Sequence, residues 1–496
     1  MNTNTNMHDP SSEPFDMVLF GGLGDLSKRK LIPAMFRSFR IGDMIEGSRL
    51  FLCSRSEIPH DELVETVKSV LDNTLKDNEK VAEDIDKFCQ TLISQQIDLI
   101  DVSKGWEEFR DRINEFDRTK VYYLAVAPSL YDNCCQNLSK MKLNTANSRL
   151  VVEKPLGYDL ASAEQINSCM AAHFEESQIY RIDHYTGKDT VQNLLTLRFS
   201  NFIFEDVWDN KSIDHIQISI SEQVGLEGRA GFYDDVGALR DMVQNHILQL
   251  LCLIALDSPN NLTSEAIHTE KVKLLKALKP IRGKSVEENT VTGQYVSGVV
   301  DNNKVQGYLD ELDNFESKTE TFVALKAEID TWRWAGVPFY LRTGKRLKHR
   351  GAVIIVQFKN VTHNVYSASG QSLHPNQLII KLQPKEKIQL KLMANDVVGG
   401  TKTIEPILLN LDFEPHEDQP TRTAYQRLLM DVVRGDDTLF IDREEIVAAW
   451  KWIDPIVDYW KSTNLKPSLY SAGSWGPDES DNLFGDSNRD WYNVGE

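Results

Sequence analysis

The sequence predicts two domains of different class: a doubly wound (Rossmann-like) α/β dinucleotide-binding domain over residues 15–185, and a larger α+β domain over 186–496 built on a mostly antiparallel sheet. Three observations predict this. The first buried-strand signal runs into a glycine turn and then a helix. Strand and helix signals alternate to about residue 185, as they do when helices cover both faces of a parallel sheet. After residue 200 strands follow one another with few helices between them, the pattern of antiparallel pairing.

The opening unit is Met17-Val-Leu-Phe20, then Gly21-Gly22-Leu23-Gly24-Asp25-Leu26-Ser27-Lys28, then apolar Leu31, Ile32, Met35 and Phe36. Gly21 and Gly24 let backbone approach a pyrophosphate at a helix N-terminus, and Asp25 reads as the helix cap. The spacing is G-x-x-G, not G-x-G-x-x-G, so a glycine loop without a ligand stays open; the P-loop pattern is absent. The next strand, Arg49 to Cys53, ends at Ser54-Arg55. An acidic residue there takes ribose hydroxyls, whereas arginine suits a 2′-phosphate, so Arg55 points to NADP, with an exposed surface arginine as the alternative. Asp61–Leu75 and Val81–Ile93 show helical periodicity. Val121–Pro128 and Leu150–Val152 read as buried strands, the second ending in Glu153-Lys154-Pro155-Leu156-Gly157. Pro155 and Gly157 force a turn where parallel strands present their ligand-facing ends, which aims Lys154 into the crevice. Tight functional turns favour a cis bond before Pro155, and the sequence leaves the isomer open.

Residues 181–189 read RIDHYTGKD, between a strand signal at 178–180 and a helix signal over Val191–Leu197. That places Asp183, His184, Tyr185 and Lys188 at a strand end and in the turn into a helix. Lys188 and the N–H groups of a new helix suit an anion, most naturally a phosphate; a solvated loop with incidental charge is the alternative.

In the second domain Ile216, Ile218 and Ile220 alternate with polar residues, as do Ile388, Leu390 and Leu392; Phe322–Ile329, Ala352–Phe358 and Leu378–Leu382 are further strands. A long helix is predicted over Asp235–Leu256, and two more over Tyr425–Val433 and Glu444–Trp452, the last with Asp442 and Glu445 as a capping box. Leu239, Met242, Val243, Ile247 and Leu250 form one stripe of the long helix, and His246 falls on it. A histidine there is either a core residue with a satisfied hydrogen bond or a general base held by packing at a cleft edge, with Asp183 a candidate orienting carboxylate. The polar start and the Gly-, Asp- and Ser-rich tail from Ser471 are expected to be loose.

Hydrophobic content of 41% and charged content of 26% describe an ordinary globular protein. A net charge of −19 argues against nucleic-acid binding, and requires a site for an anionic substrate to concentrate positive charge against the global field. The six scattered cysteines, with no C-x-x-C, read as small buried hydrophobes of a reducing, cytoplasmic compartment, not a disulfide frame or zinc site. The start lacks the apolar run of a secretory signal, and the longest apolar run, Ile247–Leu256, is too short to span a membrane.

The motifs GGLGDLSKRKL, VVEKPLG, RIDHYTGKD, RDMVQNH and PFYLRTGKRL, with YSAGSWGPDESD in the tail, together resemble the glucose-6-phosphate dehydrogenase family over nearly the whole chain. RIDHYTGK is the most specific of them and the glycine loop the least. The resemblance implies oxidation of glucose 6-phosphate at C1 with hydride transfer to NADP, and no metal. It implies His246 as general base, Asp183 as its orienting partner, and Lys154 near both the C1 hydroxyl and the cofactor. His184, Tyr185 and Lys188 would hold the phosphate, Glu222 and Asp241 the sugar hydroxyls, and Lys345 and Arg350 the substrate. Gly21, Gly22, Gly24, Asp25, Leu26, Lys28, Arg55 and Tyr123 would lie on the cofactor. A homodimer or a dimer of dimers is implied as well. The rival readings are a broader sugar or inositol dehydrogenase and a catalytically silent NADP-binding sensor. A charge-assisted hydrogen bond contributes about 1.5–3 kcal/mol. Lys188→Ala is therefore expected to raise KM far more for the phosphosugar than for free glucose in steady-state assays; an equal loss on both would remove its phosphate role.

Overall fold

Strands buried at every position need cover on both faces, and a parallel sheet under crossover helices provides it. In the computed structural model β1 (Asp16–Phe20), β2 (Arg49–Ser54), β3 (Leu92–Gln96), β4 (Lys120–Leu124), β5 (Ser148–Glu153) and β6 (Ile179–Ile182) form such a sheet. Their order is β3-β2-β1-β4-β5-β6 and every pair is parallel. The structure describes residues 13–228, 230–367, 370–395, 403–411 and 422–495; the first twelve residues of the polar start lie outside it. One face of the sheet buries Met17, Leu19, Tyr123 and Val151 under the helices Ile32–Arg40 and His60–Thr74. The other buries Val18, Phe20, Tyr122 and Val152 under Trp106–Ile113, Tyr131–Lys140 and Leu160–Ala171. The segment expected to be one helix over Val81–Ile93 is the helix Ala82–Cys89 followed by β3, because Leu92 to Gln96 find a strand partner in β2.

The unit built on this sheet also takes in Leu262–His268 and the described part of Pro415–Glu444. The helix Ala424–Arg434 starts at a capping box on Thr423 and stops at Gly435, whose φ is +82°. Leu428, Leu429 and Val432 on that helix join the core of Leu19 and Val151, so a segment far along the chain completes the first domain.

The second unit is organised by a sheet of nine strands among the described residues. They are β7 (Ile213–Ser221), β8 (Thr290–Val296), β11 (Phe322–Glu328), β12 (Pro338–Gly344), β13 (Gly351–Phe358), β14 (Gln377–Gln383), β15 (Lys387–Asn395), β16 (Ile404–Leu411) and β17 (Ser468–Ser471). A short ribbon, β9 (Gly298–Val300) with β10 (Asn303–Val305), stands apart. The order is β16-β15-β14-β13-β7-β12-β11-β8-β17, antiparallel except for β7–β12 and β8–β17. The tail is not loose: β17 extends the sheet, and Leu483, Phe484 and Trp491 are buried with Tyr340. Apolar residues interleaved with the glycines and acids supply that cover.

The helix expected over Asp235–Leu256 is three pieces. Gly237, at φ +73° and ψ 171°, breaks the first; Leu239–Ile247 is π-helical; Leu248–Ala255 is α-helical. Glu320 accepts the Leu239 N–H at 3.0 Å, and a Cβ on Gly237 would lie 2.4 Å from its carboxylate, so the break has a partner that requires glycine. At the far end, carbonyls that no helix can satisfy are taken by buried side chains. Arg198 donates to Leu253 and Leu256 at 3.2 and 2.7 Å, Trp208 to Ile254 at 2.8 Å and Trp334 to Ala255 at 2.6 Å.

Asp442, expected at the start of the last helix, accepts the Glu444 N–H at 2.6 Å. The Glu445 carboxylate is fully buried, 3.1 Å from Lys271 Nζ and 2.8 Å from Gln249 Nε2. Removing one partner of a buried pair typically costs about 3–5 kcal/mol, because the other charge stays buried alone. Glu445→Ala is expected to lose that much in equilibrium denaturation. Replacing Lys271 and Glu445 together by Met and Leu should lose far less; equal losses would contradict the pairing.

Candidate active site

In a parallel sheet all carboxyl ends share one edge, and here the turns after β1, β2, β5 and β6 carry Gly21–Gly24, Arg55, Lys154 and Asp183. The strand order reverses at β1, whose neighbours are β2 and β4, and ligands of open α/β sheets bind at such a point. Gly21 has φ +84°, and a Cβ there would lie 2.5 Å from the Ala125 carbonyl after β4. Gly22 donates to Cys53 O at 2.9 Å, and its Cβ would lie 2.7 Å from Leu52 Cα. Gly24 is exposed, and a Cβ on it would meet only Gly21 O at 3.1 Å and Ala125 O at 3.9 Å. The turn is thus packed by Gly21 and Gly22, and Gly24, whose N–H bonds Gly21 O at 2.9 Å, puts no side chain in a ligand's way, a cradle that fits a dinucleotide pyrophosphate. Asp25 is not the helix cap: it lies in the first helical turn and pairs with Arg29 at 2.8 Å. The sequence reading missed Ser27, whose hydroxyl holds Gly21 O at 2.9 Å. Leu26 and Lys28 are half-buried on the same helix start and Arg55 is exposed. Tyr123 is fully buried in β4, its hydroxyl donating to Glu153 at 2.6 Å.

The bond between Lys154 and Pro155 is cis, and Gly157 has φ +91° with the Ala163 backbone 2.6 Å from where its Cβ would be. The turn after β6 is built by Asp183, which accepts the Tyr185 N–H at 2.8 Å, and by Thr186, whose hydroxyl donates to Asp183 O and Leu439 O at 2.7 and 2.8 Å. His184 is half-buried with its ring centroid 4.8 Å from that of Tyr185. Arg181 of the same motif is a buried strut, bonded to Glu176 and Asn167.

The second unit makes a corresponding edge from its central parallel pair. β7 and β12 end in register at Ser221 and Gly344, so the next residues, Glu222 and Lys345, are neighbours. Glu222 N donates to Gly344 O at 3.0 Å, and the Lys345 ammonium lies 2.8 Å from the Glu222 carboxylate. Lys345 also lies 5.0 Å above the Tyr233 ring. Burial and the charges of Asp241, Glu320 and Glu222 hold the Tyr233 phenol well above its usual range, which puts Asp241 in the same group. Tyr233 was missed; only its place just before the Leu239–Ile247 segment could have drawn notice. That segment packs on β7 and β12, with His246 1% exposed among Leu239, Met242, Val243 and Ile247.

Lys188 donates to Leu382 O at 3.1 Å and lies 3.9 Å from Glu386. Burial pushes its ammonium below the usual value against the pull of Glu386, and exposed Arg350 adds to the push. The helix N-terminus expected to receive an anion already has one: Glu386 accepts the Thr190 N–H at 2.7 Å. A carboxylate from a distant turn is favoured there by the helix dipole.

This fold and this set of groups define a nicotinamide-dinucleotide-dependent oxidoreductase. Residues 18–193 match the family description "Glucose-6-phosphate dehydrogenase, NAD binding domain", and 195–492 match "Glucose-6-phosphate dehydrogenase, C-terminal domain". The chain belongs to the glucose-6-phosphate dehydrogenase family. It is 46% identical over 483 residues to a glucose-6-phosphate 1-dehydrogenase of Rhizobium meliloti (97% of this chain, 98% of that one) and 44% identical over 479 residues to one of Zymomonas mobilis (96% and 98%). Among solved structures, a glucose-6-phosphate dehydrogenase in complex with its substrate glucose-6-phosphate superposes with TM-score 0.88 at 32% identity (97% and 99% covered). A Mycobacterium avium glucose-6-phosphate 1-dehydrogenase gives 0.83 at 30% (97% and 98%).

The two kinds of glycine separate by experiment. Gly22→Ala pushes a Cβ into β2 backbone and is expected to lower the melting temperature sharply. Gly24→Ala is expected to melt near the unsubstituted protein while losing about tenfold in dinucleotide affinity by fluorescence titration, because its Cβ stands where the pyrophosphate approaches. Loss of affinity without loss of stability in Gly22→Ala would contradict the assignment.

Proposed function

We propose that this chain oxidises glucose 6-phosphate at C1 to 6-phosphoglucono-1,5-lactone, with NADP as the hydride acceptor. The match to both domains of the family over residues 18–492 carries this reading. His246 is the general base: it takes the proton of the C1 hydroxyl as the C1 hydride departs, and the C1–O bond becomes the lactone carbonyl. Asp183 is the carboxylate that orients the imidazole and stabilises its protonated form. The bound nicotinamide supplies the hydride acceptor, its C4. Lys154 serves the C1 hydroxyl and the cofactor; Glu222 and Asp241 accept from sugar hydroxyls, with Lys345 setting the Glu222 carboxylate and contacting the substrate. His184, Tyr185 and Lys188, with Arg350 adding charge, hold the phosphate.

The cofactor lies on Gly21, Gly22, Gly24, Asp25, Leu26 and Lys28, with Arg55 on the 2′-phosphate; Tyr123 acts from behind, through Glu153. The protein works in the cytoplasm, a reading supported by six free cysteines, and as a homodimer or dimer of dimers. No helix among the described residues is long and apolar enough to cross a membrane.

Purified protein mixed with glucose 6-phosphate and NADP should produce NADPH absorbance at once; a flat trace from folded protein would leave a silent sensor. Loss of a general base typically slows turnover about 10²–10⁴-fold, so His246→Asn should fall by that factor with dinucleotide affinity unchanged. Arg55→Ala should raise KM for NADP and leave KM for NAD unchanged; equal rises would remove the 2′-phosphate role.

A further inference from the structure

Two turns at the carboxyl edge of the first sheet, after β5 and after β6, are joined by a side chain from far along the sequence. The Tyr425 hydroxyl donates to Glu153 Oε1 at 2.9 Å, and its ring lies parallel to that of His184, at 7° with centroids 6.5 Å apart. The same oxygen of Glu153 accepts from Tyr123 at 2.6 Å, and the Glu153 carbonyl accepts from Tyr131 at 3.3 Å. Glu153 is the residue before Lys154, so three tyrosines fix the last strand residue before the cis turn.

We propose that Tyr425 is a positioning residue that couples the Lys154 turn to the His184 turn through the Glu153 carboxylate. Each end has a different physical basis. Toward Glu153 the link is one hydroxyl donating to a mostly buried acid; deleting it leaves the carboxylate short of a donor where water cannot readily replace it. Burial raises the Glu153 carboxyl against the pull of both phenols and of Lys154, so its state depends on those donors. Burial and the Glu153 charge raise the Tyr425 phenol, which keeps it a donor. Toward His184 the link is ring on ring, which needs the flat face and not the hydroxyl. Tyr425 sits at the start of the helix Ala424–Arg434, whose Leu428, Leu429 and Val432 are buried in the first sheet's core, so the brace stands on a rigid support.

The inference rests on the roles proposed above for Lys154 and His184, and the experiment separates the two levels. Activity of the unsubstituted protein with glucose 6-phosphate and NADP tests the roles; the variants test the coupling. Tyr425→Phe removes the hydroxyl and keeps the ring. It is expected to lower kcat and raise KM for NADP, by about tenfold overall, with KM for glucose 6-phosphate within about twofold. Tyr425→Leu removes both links and is expected to add a rise of about threefold or more in KM for glucose 6-phosphate, the scale of one aromatic pair. Should the Leu variant fail to fold, Tyr425→Met takes its place. Glu153→Leu combined with Tyr425→Phe is expected to be no worse than Glu153→Leu alone, since without the carboxylate the Tyr425 hydroxyl has no bond to Glu153 left to lose. The proposal is overturned if the unsubstituted protein is active and Tyr425→Phe matches it in kcat and both KM values. It is overturned equally if Phe and Leu variants share one KM for glucose 6-phosphate, or if the double variant loses the product of the two single losses.

Discussion

In a parallel pair both carboxyl ends face the same edge, and each unit of this protein sets its polar groups by that constraint. Six parallel strands align Gly21–Gly24, Arg55, Lys154 and Asp183 along one edge of the first sheet. In the second sheet, antiparallel over most of its width, the one central parallel pair, β7–β12, ends with Glu222 beside Lys345 at 2.8 Å. Antiparallel neighbours would have put those two residues at opposite edges. Strand direction thus decides which of these polar groups share an edge.

Charge is then placed locally against a net balance of −19. The cations of the second unit are not bare: Lys345 is set by Glu222 and Tyr233, and Lys188 by Leu382 O and Glu386. Such partners hold an ammonium in one geometry, and fixed groups of this kind need no reorganisation of the sort water does. They also explain why a helix start that looks ready for phosphate is not available to it. Glu386 already accepts the Thr190 N–H there.

Much of the first sheet and its edge was legible in the sequence, because the signals are local. Met17 to Phe20 followed by the glycine turn, and Val151-Val152 followed by Glu153-Lys154-Pro155, each fit within a dozen residues. What stayed hidden depends on partners far apart. Nothing local marks Tyr425 as a neighbour of Glu153, Glu386 as the cap of Thr190, or Glu445 as the mate of Lys271. The periodicity of Leu239, Met242, Val243 and Ile247 found the buried face that carries His246. It could not show that the segment is π-helical, because the i→i+5 hydrogen-bond pattern leaves no mark in the side-chain periodicity. The break at Gly237 was invisible for the same reason as Glu386: its cause, the Glu320 carboxylate, lies on another element. The tail was misread because glycine and acid content outweighed Leu483, Phe484 and Trp491, the residues that bury it.

The proposed mechanism requires one imidazole to take the hydroxyl proton as the C1 hydride leaves. The direct measurement is the primary isotope effect on kcat/KM with glucose 6-phosphate deuterated at C1, in unsubstituted protein and in His246→Asn. The variant is expected to be much slower, with an isotope effect at least as large as that of the unsubstituted protein, because loss of the base leaves hydride transfer more fully rate-limiting. An unchanged rate with an unchanged isotope effect would show that His246 is not the base.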